Sequence, residues 1–161
     1  MSLGDDFSYQ FEDHYKTGRQ VICLLTDVVV KGGNLAVNVG PQPDGRIPAE
    51  NVKTLKRARR MACRIQGKRF TELRPCSPYK KDGIGFTKKG DAVYAIQTFA
   101  DEKETVSNTV WIPYTETVKE ITALGEDTVE SFERTEGGYR VVLTEKCSDT
   151  APFARVFKLE R

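Results

Sequence analysis

The sequence predicts an α+β protein in which a short helix–strand–helix unit precedes an antiparallel β-sandwich. Apolar residues recur at helical spacing before residue 70 and alternate with polar residues after residue 82. The second part holds seven short runs separated by turn signals, a pattern typical of a sandwich. We therefore expect two domains, residues 1–75 and residues 76–161.

The first helix is predicted over residues 14–31. Apolar side chains return every three or four residues along it, and Gly32-Gly33 supplies a stop at which a positive φ is available. Gly18 is expected to weaken the helix interior by up to about 1 kcal/mol relative to Ala. Residues 1–4 have the composition of a short extension added to the natural sequence.

A strand and a second helix are predicted next. Residues 35–39 form an apolar run between turn signals and predict a strand buried on both faces, as in a parallel sheet. Residues 40–45 contain two prolines and an Asp-Gly pair and predict a loop. Pro48 suits the first turn of a helix that we expect to end at Gly67.

The remainder is predicted to be all β. A proline-containing connection over residues 73–82 leads into the sandwich, with hairpin turns at residues 88–91 and 136–138. The predicted strands cover residues 85–87, 92–99, 109–112, 118–124, 128–133, 139–144 and 154–159.

Composition excludes several classes of protein. The chain has 161 residues, of which 39% are hydrophobic and 30% charged, values that argue against disorder. Its longest apolar run, residues 21–25, is far short of the ~20 residues of a membrane span. His14 is the single histidine, and no CxxC is present, so no metal site or cofactor is expected. Unlinked thiols are the favoured state of Cys23, Cys63, Cys76 and Cys147, although spacing alone leaves a disulfide open.

Residues 46–81 carry 12 basic and only two acidic side chains. Such a segment is compatible with a nucleic-acid footprint or with the solvated face of a helix. No aromatic residue for base stacking lies between Arg46 and Arg69, which favours the solvated face. We therefore expect no nucleic-acid partner.

Residues 31–48, KGGNLAVNVGPQPDGRIP, resemble the signature of family 29 glycoside hydrolases, the α-L-fucosidases. Residues 87–96 and 118–125 are similar to strands of that family's C-terminal sandwich. The resemblance implies that the chain holds the last strand–helix unit of a (β/α)8-like barrel followed by the sandwich. It also implies a parent enzyme that removes terminal L-fucose from glycans with retention of configuration.

A retaining glycosidase needs two carboxyl groups, a nucleophile and an acid/base. The resemblance places both, together with the sugar-binding histidines, upstream of this chain, so no catalytic residue is assigned here. We expect the chain alone to be inactive and its partner to be the missing N-terminal barrel portion. An extracellular, periplasmic or lysosomal-type location is implied by the resemblance, and the sequence shows no signal peptide.

The resemblance also implies substrate-proximal residues. Phe7 and Tyr9 fall at a family W-G-Y triplet, and Asn38 falls near the C-terminal end of a barrel strand, the end that faces active sites. The competing interpretation of Phe7 and Tyr9 is ordinary core packing. For Asn38 it is hydrogen bonding to loop backbone. The residues expected to shape the loop structurally are Gly32, Gly33, Gly40, Pro41, Asp44 and Gly45.

A second hypothesis makes the sandwich a non-catalytic carbohydrate-binding or structural module. The aromatic side chains that would form a sugar platform are Trp111, Tyr94, Tyr114 and Tyr139. Core packing is the simpler interpretation of aromatic residues on alternating strands. Residues 66–73 keep little of the family pattern, which weakens the inference to fucose more than the inference to the fold.

Overall fold

The fold was analysed in a computed structural model that describes residues 1–66, 73–101, 103–104, 106–125, 127–144 and 153–161, with the backbone alone for residues 61–66. Two helices precede the strands. The helices are α1 (Gly18–Val30) and α2 (Ala49–Gln66). The strands are β1 (Arg74–Lys81), β2 (Ile84–Lys89), β3 (Ala92–Thr98), β4 (Thr109–Ile112), β5 (Glu120–Leu124), β6 (Val129–Thr135), β7 (Gly138–Leu143) and β8 (Ala154–Glu160).

Helix α1 begins four residues later than the predicted start at residue 14. Thr17 caps it, because the Thr17 hydroxyl accepts a hydrogen bond from the Gln20 amide while the Gln20 side chain accepts one from the Thr17 amide. The expected cost of Gly18 is therefore wrong, since Gly18 lies in the first turn. The predicted stop is confirmed by Gly32, whose φ is +79°.

Residues 35–39 were predicted to be buried on both faces, and this is wrong. Their pairing is a single parallel bridge between Ser2 and Asn38, and Leu35, Val37 and Val39 are only half-buried. The reason is that the described chain covers one side of this segment and leaves the other side without a packing layer. Residues 1–4 are integrated into the fold, because Leu3 is completely buried, and their origin stays a prediction.

The strands form two antiparallel sheets, ordered β1-β2-β3-β8-β5 and β4-β7-β6. The predicted hairpins are confirmed by the register between β2 and β3 and between β6 and β7. Strand β1 was missed, since Pro75 and Pro78 interrupt its pattern. Prolines are tolerated there because β1 is an edge strand with an irregular register between Pro75 and Lys80.

Two apolar clusters lie on opposite faces of the five-stranded sheet. The first fills the space between the sheets and includes Phe86, Val141 and Phe157, all fully buried. The second, which we call the helix-side cluster, joins Ile96 and Val156 of the sheet to both helices and Leu3. The predicted fold class, α+β with an antiparallel sandwich, is confirmed. The boundary after residue 75 falls inside β1, and the division into two domains stays a prediction.

Two predictions about side chains and membranes can also be compared with the described residues. Cys23 and Cys76 are free thiols, as favoured, and burial raises the pKa of the Cys76 thiol. Several predictions lie outside the described residues. They concern the thiols of Cys63 and Cys147, the helix end at Gly67 and most of residues 66–73. Neither described helix is sufficiently long and apolar to span a membrane.

Candidate functional site

The candidate site begins where the N-terminal segment lies beside residues 36–38. The amide of Asn38 donates to the Met1 carbonyl at 2.8 Å, and the Leu3 amide donates to the Asn38 carbonyl at 3.0 Å. These bonds make a short parallel ladder. Two parts of the chain that are more than 30 residues apart in sequence are thereby fixed side by side.

The side chain of Asn38 forms hydrogen bonds to the N-terminal segment on both sides of the turn that follows this ladder. Its amide nitrogen donates to the Phe7 carbonyl at 2.5 Å and to the Ser2 hydroxyl oxygen at 3.2 Å. The Ser2 hydroxyl in turn donates to the Asp6 carbonyl at 2.7 Å. The Asn38 amide therefore bonds to backbone here, which is the competing interpretation considered for it, and substrate contact by Asn38 stays a prediction.

Gly40 lets the same two segments approach closely. A Cβ at this position would lie 2.4 Å from the Tyr9 nitrogen and 2.7 Å from the Ser8 carbonyl carbon. Any larger residue would push the backbone of residues 8–9 away. The fold thus brings together four of the residues singled out from sequence, which are Phe7, Tyr9, Asn38 and Gly40.

The aromatic side chains of this group differ in exposure. The Phe7 ring is 78% exposed, which is inconsistent with the core packing considered for it, whereas Tyr9 is half-buried. Phe11, two residues farther on, is 88% exposed. Exposed rings of this kind offer apolar faces on which a sugar ring can stack. Substrate contact by Phe7 and Tyr9 stays a prediction.

The loop over residues 41–46 is closed by its own hydrogen bonds. The Gln42 amide donates to the Arg46 carbonyl, and the Gly45 amide donates to the Gln42 carbonyl, each at 2.8 Å. The Asp44 carboxylate accepts from the Arg46 amide at 3.0 Å and from its guanidinium at 2.6 Å. These bonds hold the pKa of Asp44 below its usual range. Pro41 is exposed in this loop, and Asp44 turns toward Arg46 rather than toward Asn38.

Gly32 and Gly33 lie apart from this group, at the C-terminal end of α1. The Gly33 amide donates to the Val28 carbonyl at 2.9 Å. The space where a Gly32 Cβ would stand is 3.1 Å from the ring of Pro75. These glycines shape the helix end and its approach to β1.

Sequence reasoning missed how residues 2–16 are organised. The Asp13 carboxylate accepts from the Asp5 amide at 2.8 Å, and the Lys16 amide donates to the Leu3 carbonyl at 2.8 Å. The His14 ring nitrogen lies 3.4 Å from the Asp5 carboxylate, and both side chains are exposed. A ladder of three residues is too short for any periodicity, so the sequence carries no pattern that could have revealed it.

The chemistry open to this site is positioning and stacking. Asn38 supplies an amide that fixes backbone, and Phe7 supplies an exposed ring. Across the described ranges, no group of three or more His, Cys, Asp or Glu side chains is placed to hold a metal ion.

Comparison with known proteins finds similarity to α-L-fucosidases. Residues 1–60 match the family model described as alpha-L-fucosidase. No curated protein matches the chain. The α-fucosidase of Thermotoga maritima in complex with fucose superimposes with a TM-score of 0.77 and 24% identity, over 99% of this chain and 38% of that one.

Two other solved structures give the same result. Alpha-L-fucosidase isoenzyme 1 of Paenibacillus thiaminolyticus has a TM-score of 0.74 and 22% identity, over 99% of this chain and 38% of that one. The GH29 α-L-fucosidase of Bacteroides thetaiotaomicron, trapped as a covalent intermediate, has a TM-score of 0.76 and 23% identity, over 99% and 37%. The resemblance to family 29 is therefore confirmed, with a fold that matches part of those enzymes. The chain spans about 38% of the length of these solved structures.

Proposed function

We propose that this chain is the C-terminal part of a retaining α-L-fucosidase that removes terminal L-fucose from glycans. The observation that carries the proposal is the match of residues 1–60 to the fucosidase model, because those residues contain the whole candidate site. The Bacteroides enzyme was trapped as a covalent intermediate, the species that a retaining mechanism forms.

In this proposal the chain supplies positioning groups and the missing barrel portion supplies the chemistry. Asn38 holds residues 2–9 against the end of the 36–38 segment, so that Phe7 and Tyr9 face a sugar bound at the barrel mouth. The nucleophile and the acid/base come from the barrel portion. Residues 1–75 then complete the barrel, and residues 76–161 form the sandwich.

A chimaera tests the proposal. The portion of the Thermotoga enzyme that precedes the superimposed region is joined to this chain, and hydrolysis of an aryl α-L-fucoside is measured. We expect activity from the chimaera and none from the chain alone. In the chimaera, Asn38→Ala should lower kcat/KM roughly fivefold, the equivalent of one lost hydrogen bond of about 1 kcal/mol.

The control is an exposed polar residue far from the site. Thr115→Ala lies in the sandwich and should leave kcat/KM unchanged. A chimaera that folds cooperatively and binds fucose but hydrolyses nothing contradicts the proposed function. Hydrolysis by the chain alone contradicts the assignment of the catalytic groups to the barrel portion.

The alternative is a carbohydrate-binding module on the sandwich. Of the four aromatic residues that it would use, one is exposed enough to contact a sugar. Tyr114 and Tyr139 are 3% and 2% exposed, and Tyr94 packs against the helix-side cluster. Trp111 is 39% exposed, beside the hairpin at Gly137. Glycan titration followed by Trp111 fluorescence tests this alternative, and a saturable change is its expected signal.

A further inference from the structure

Helix α2 presents a row of cations on its solvent face. Lys53, Lys56, Arg57 and Arg60 are spaced i, i+3, i+4 and i+7, which places them on one side of a helix. All four are exposed. We call these four residues the basic stripe.

The opposite side of the same helix faces the protein. Asn51 and Ala58 are buried, and Leu55 is half-buried. At about 100° per residue these positions lie roughly half a turn away from Lys53 and Arg60. The basic stripe therefore points away from the sheet and away from the apolar cluster that the helix covers.

The stripe has a single sign of charge. Lys53 and Arg57, and likewise Lys56 and Arg60, are like-charged neighbours at i,i+4, an arrangement that destabilises a helix. Within the described part of the chain, no salt bridge or hydrogen bond joins the side chains of these four residues to an acidic group. Among the described residues no acidic side chain compensates this repulsion, and a bound polyanion would relieve it.

We propose that the basic stripe binds an anionic polysaccharide, one that carries sulfate or uronic-acid carboxylate groups. Arginine offers a planar fork of donors that matches such oxyanions, and lysine adds point charges. The cations recur about once per helical turn, ~5.4 Å, which is roughly the length of one sugar unit in a chain. This inference rests on the proposed function, because a glycan-cleaving parent is what brings a polysaccharide to this surface.

The position of the stripe fits a chain that extends from the site. Helix α2 begins at Ala49, directly after the loop over residues 41–46 that follows Asn38. Lys53 lies four residues into the helix, and the stripe continues from there along its length. A polysaccharide with its end at the candidate site would meet these cations in order. Single-stranded nucleic acid is disfavoured, since the stripe contains no aromatic residue on which a base could stack.

The test is binding by the chain itself, without catalysis. Fluorescein-labelled chondroitin sulfate, uncharged dextran and a single-stranded DNA are titrated with the protein at low and physiological salt. We expect chondroitin sulfate to bind with a Kd that rises with salt, as for a polyanion that releases counterions. Dextran should not bind, and DNA should bind more weakly than chondroitin sulfate.

A charge-matched pair of variants locates the surface. The triple variant Lys53→Glu, Lys56→Glu and Arg60→Glu should weaken chondroitin sulfate binding by more than about tenfold, because each reversal removes a contact and adds a repulsion. The control Lys88→Glu, Lys103→Glu and Lys119→Glu changes three exposed lysines outside α2 and gives the same net charge. It should stay within about twofold of the parent chain.

Three results would overturn the proposal. These are no binding to chondroitin sulfate at low salt, an equal loss in both triple variants, or tighter binding to single-stranded DNA. Thermal unfolding of both variants shows that a loss of binding is not a loss of fold. Because the assay involves no hydrolysis, failure here is distinct from an inactive chimaera, which would contradict the proposed function instead.

Discussion

The interior of the sandwich and the N-terminal unit differ in how completely they cover their apolar side chains. Between the sheets, Phe86, Val141 and Phe157 are fully buried. In the N-terminal unit, Leu24 and Ile47 are 38% and 44% exposed. The sandwich has a layer on each side of its core, whereas the N-terminal unit has the sheet on one side and lacks a second layer in the described chain.

From this difference we expect the sandwich to hold its own structure and the N-terminal unit to depend on its neighbours. The N-terminal unit rests on Ile96 and Val156 of the sheet. Under the proposed function, its remaining apolar surface is what the barrel portion would cover. Four substitutions would test this contrast, in order of decreasing effect on the free energy of unfolding.

The largest effect is expected from Phe157→Ala. The side chain is fully buried between the sheets, and removing an aromatic ring from such a core costs about 3–5 kcal/mol. Urea unfolding followed by Trp111 fluorescence measures the loss. Phe132→Ala, at a ring that is 37% exposed, is the control and should cost much less. Equal losses would mean that the sandwich interior is not the dominant core.

Leu3→Ala should lower the free energy of unfolding of the N-terminal unit by about 2–3 kcal/mol. It should leave the sandwich unaffected. Leu3 is fully buried in the helix-side cluster. Hydrogen exchange should accelerate at the Asn38 and Lys16 amides, which donate to the Met1 and Leu3 carbonyls. The β7 amides should remain protected. If they accelerate equally, the two regions unfold together and the contrast between them is wrong.

Gly40→Ala should cost about 1–3 kcal/mol, because its Cβ meets the backbone of residues 8–9. NMR shifts of the Ser8 and Tyr9 amides should report the displacement. Gly45→Ala is a matched control with a φ of +81° and open space around its Cβ. It carries backbone strain alone and should leave the Ser8 and Tyr9 signals in place. Unchanged signals in Gly40→Ala would contradict the close approach.

Asp27→Asn should have the smallest effect, below about 1 kcal/mol, because the ion pairs are partly exposed and screened by solvent. The Asp27 carboxylate lies 2.6 Å from the Lys31 ammonium, at the C-terminal cap of its helix, and 3.3 Å from the Lys80 ammonium in β1, so it links the two regions. The hydrogen bond from Lys31, followed by that from Lys80, lowers the pKa of Asp27.

The sign of the pH dependence follows from that lowered pKa. The stabilisation is present above the unfolded pKa of about 4 and is lost as pH falls through the lower folded pKa. The difference in thermal stability between the parent chain and Asp27→Asn should therefore be constant near neutral pH and vanish in acid. A difference that grows below pH 4 would contradict this assignment.

Strand positions were predictable where alternation and turn chemistry agreed. The predicted run over residues 109–112 coincides with β4, and the hairpin at residues 136–138 matches a Gly137 φ of +87°. Prediction failed at β1, where two prolines hide an edge strand, and at the start of α1, where the Thr17 cap overrides the apolar spacing that extends toward residue 14.

Part of the set of residues singled out from the sequence lies together in the structure, and its role as a site stays a prediction. Asn38 and Gly40 were singled out with Phe7 and Tyr9, and the structure places them together. The partners of the Asn38 amide, the Ser2 hydroxyl and the Phe7 carbonyl, had no signal in the sequence. The Phe7 carbonyl is a backbone atom, which residue identity does not mark, and Ser2 is 36 positions from Asn38, too far for a local sequence pattern.

By itself the sequence determined the elements, because periodicity, turn glycines and prolines act within a few residues of one another. It also determined the resemblance, since residues 31–48 are a contiguous motif. Only the tertiary structure decided that Leu3 is buried, that Phe7 is exposed and that the basic stripe faces solvent. These properties depend on which distant segments come to lie beside each residue, and the long-range packing of the chain sets that.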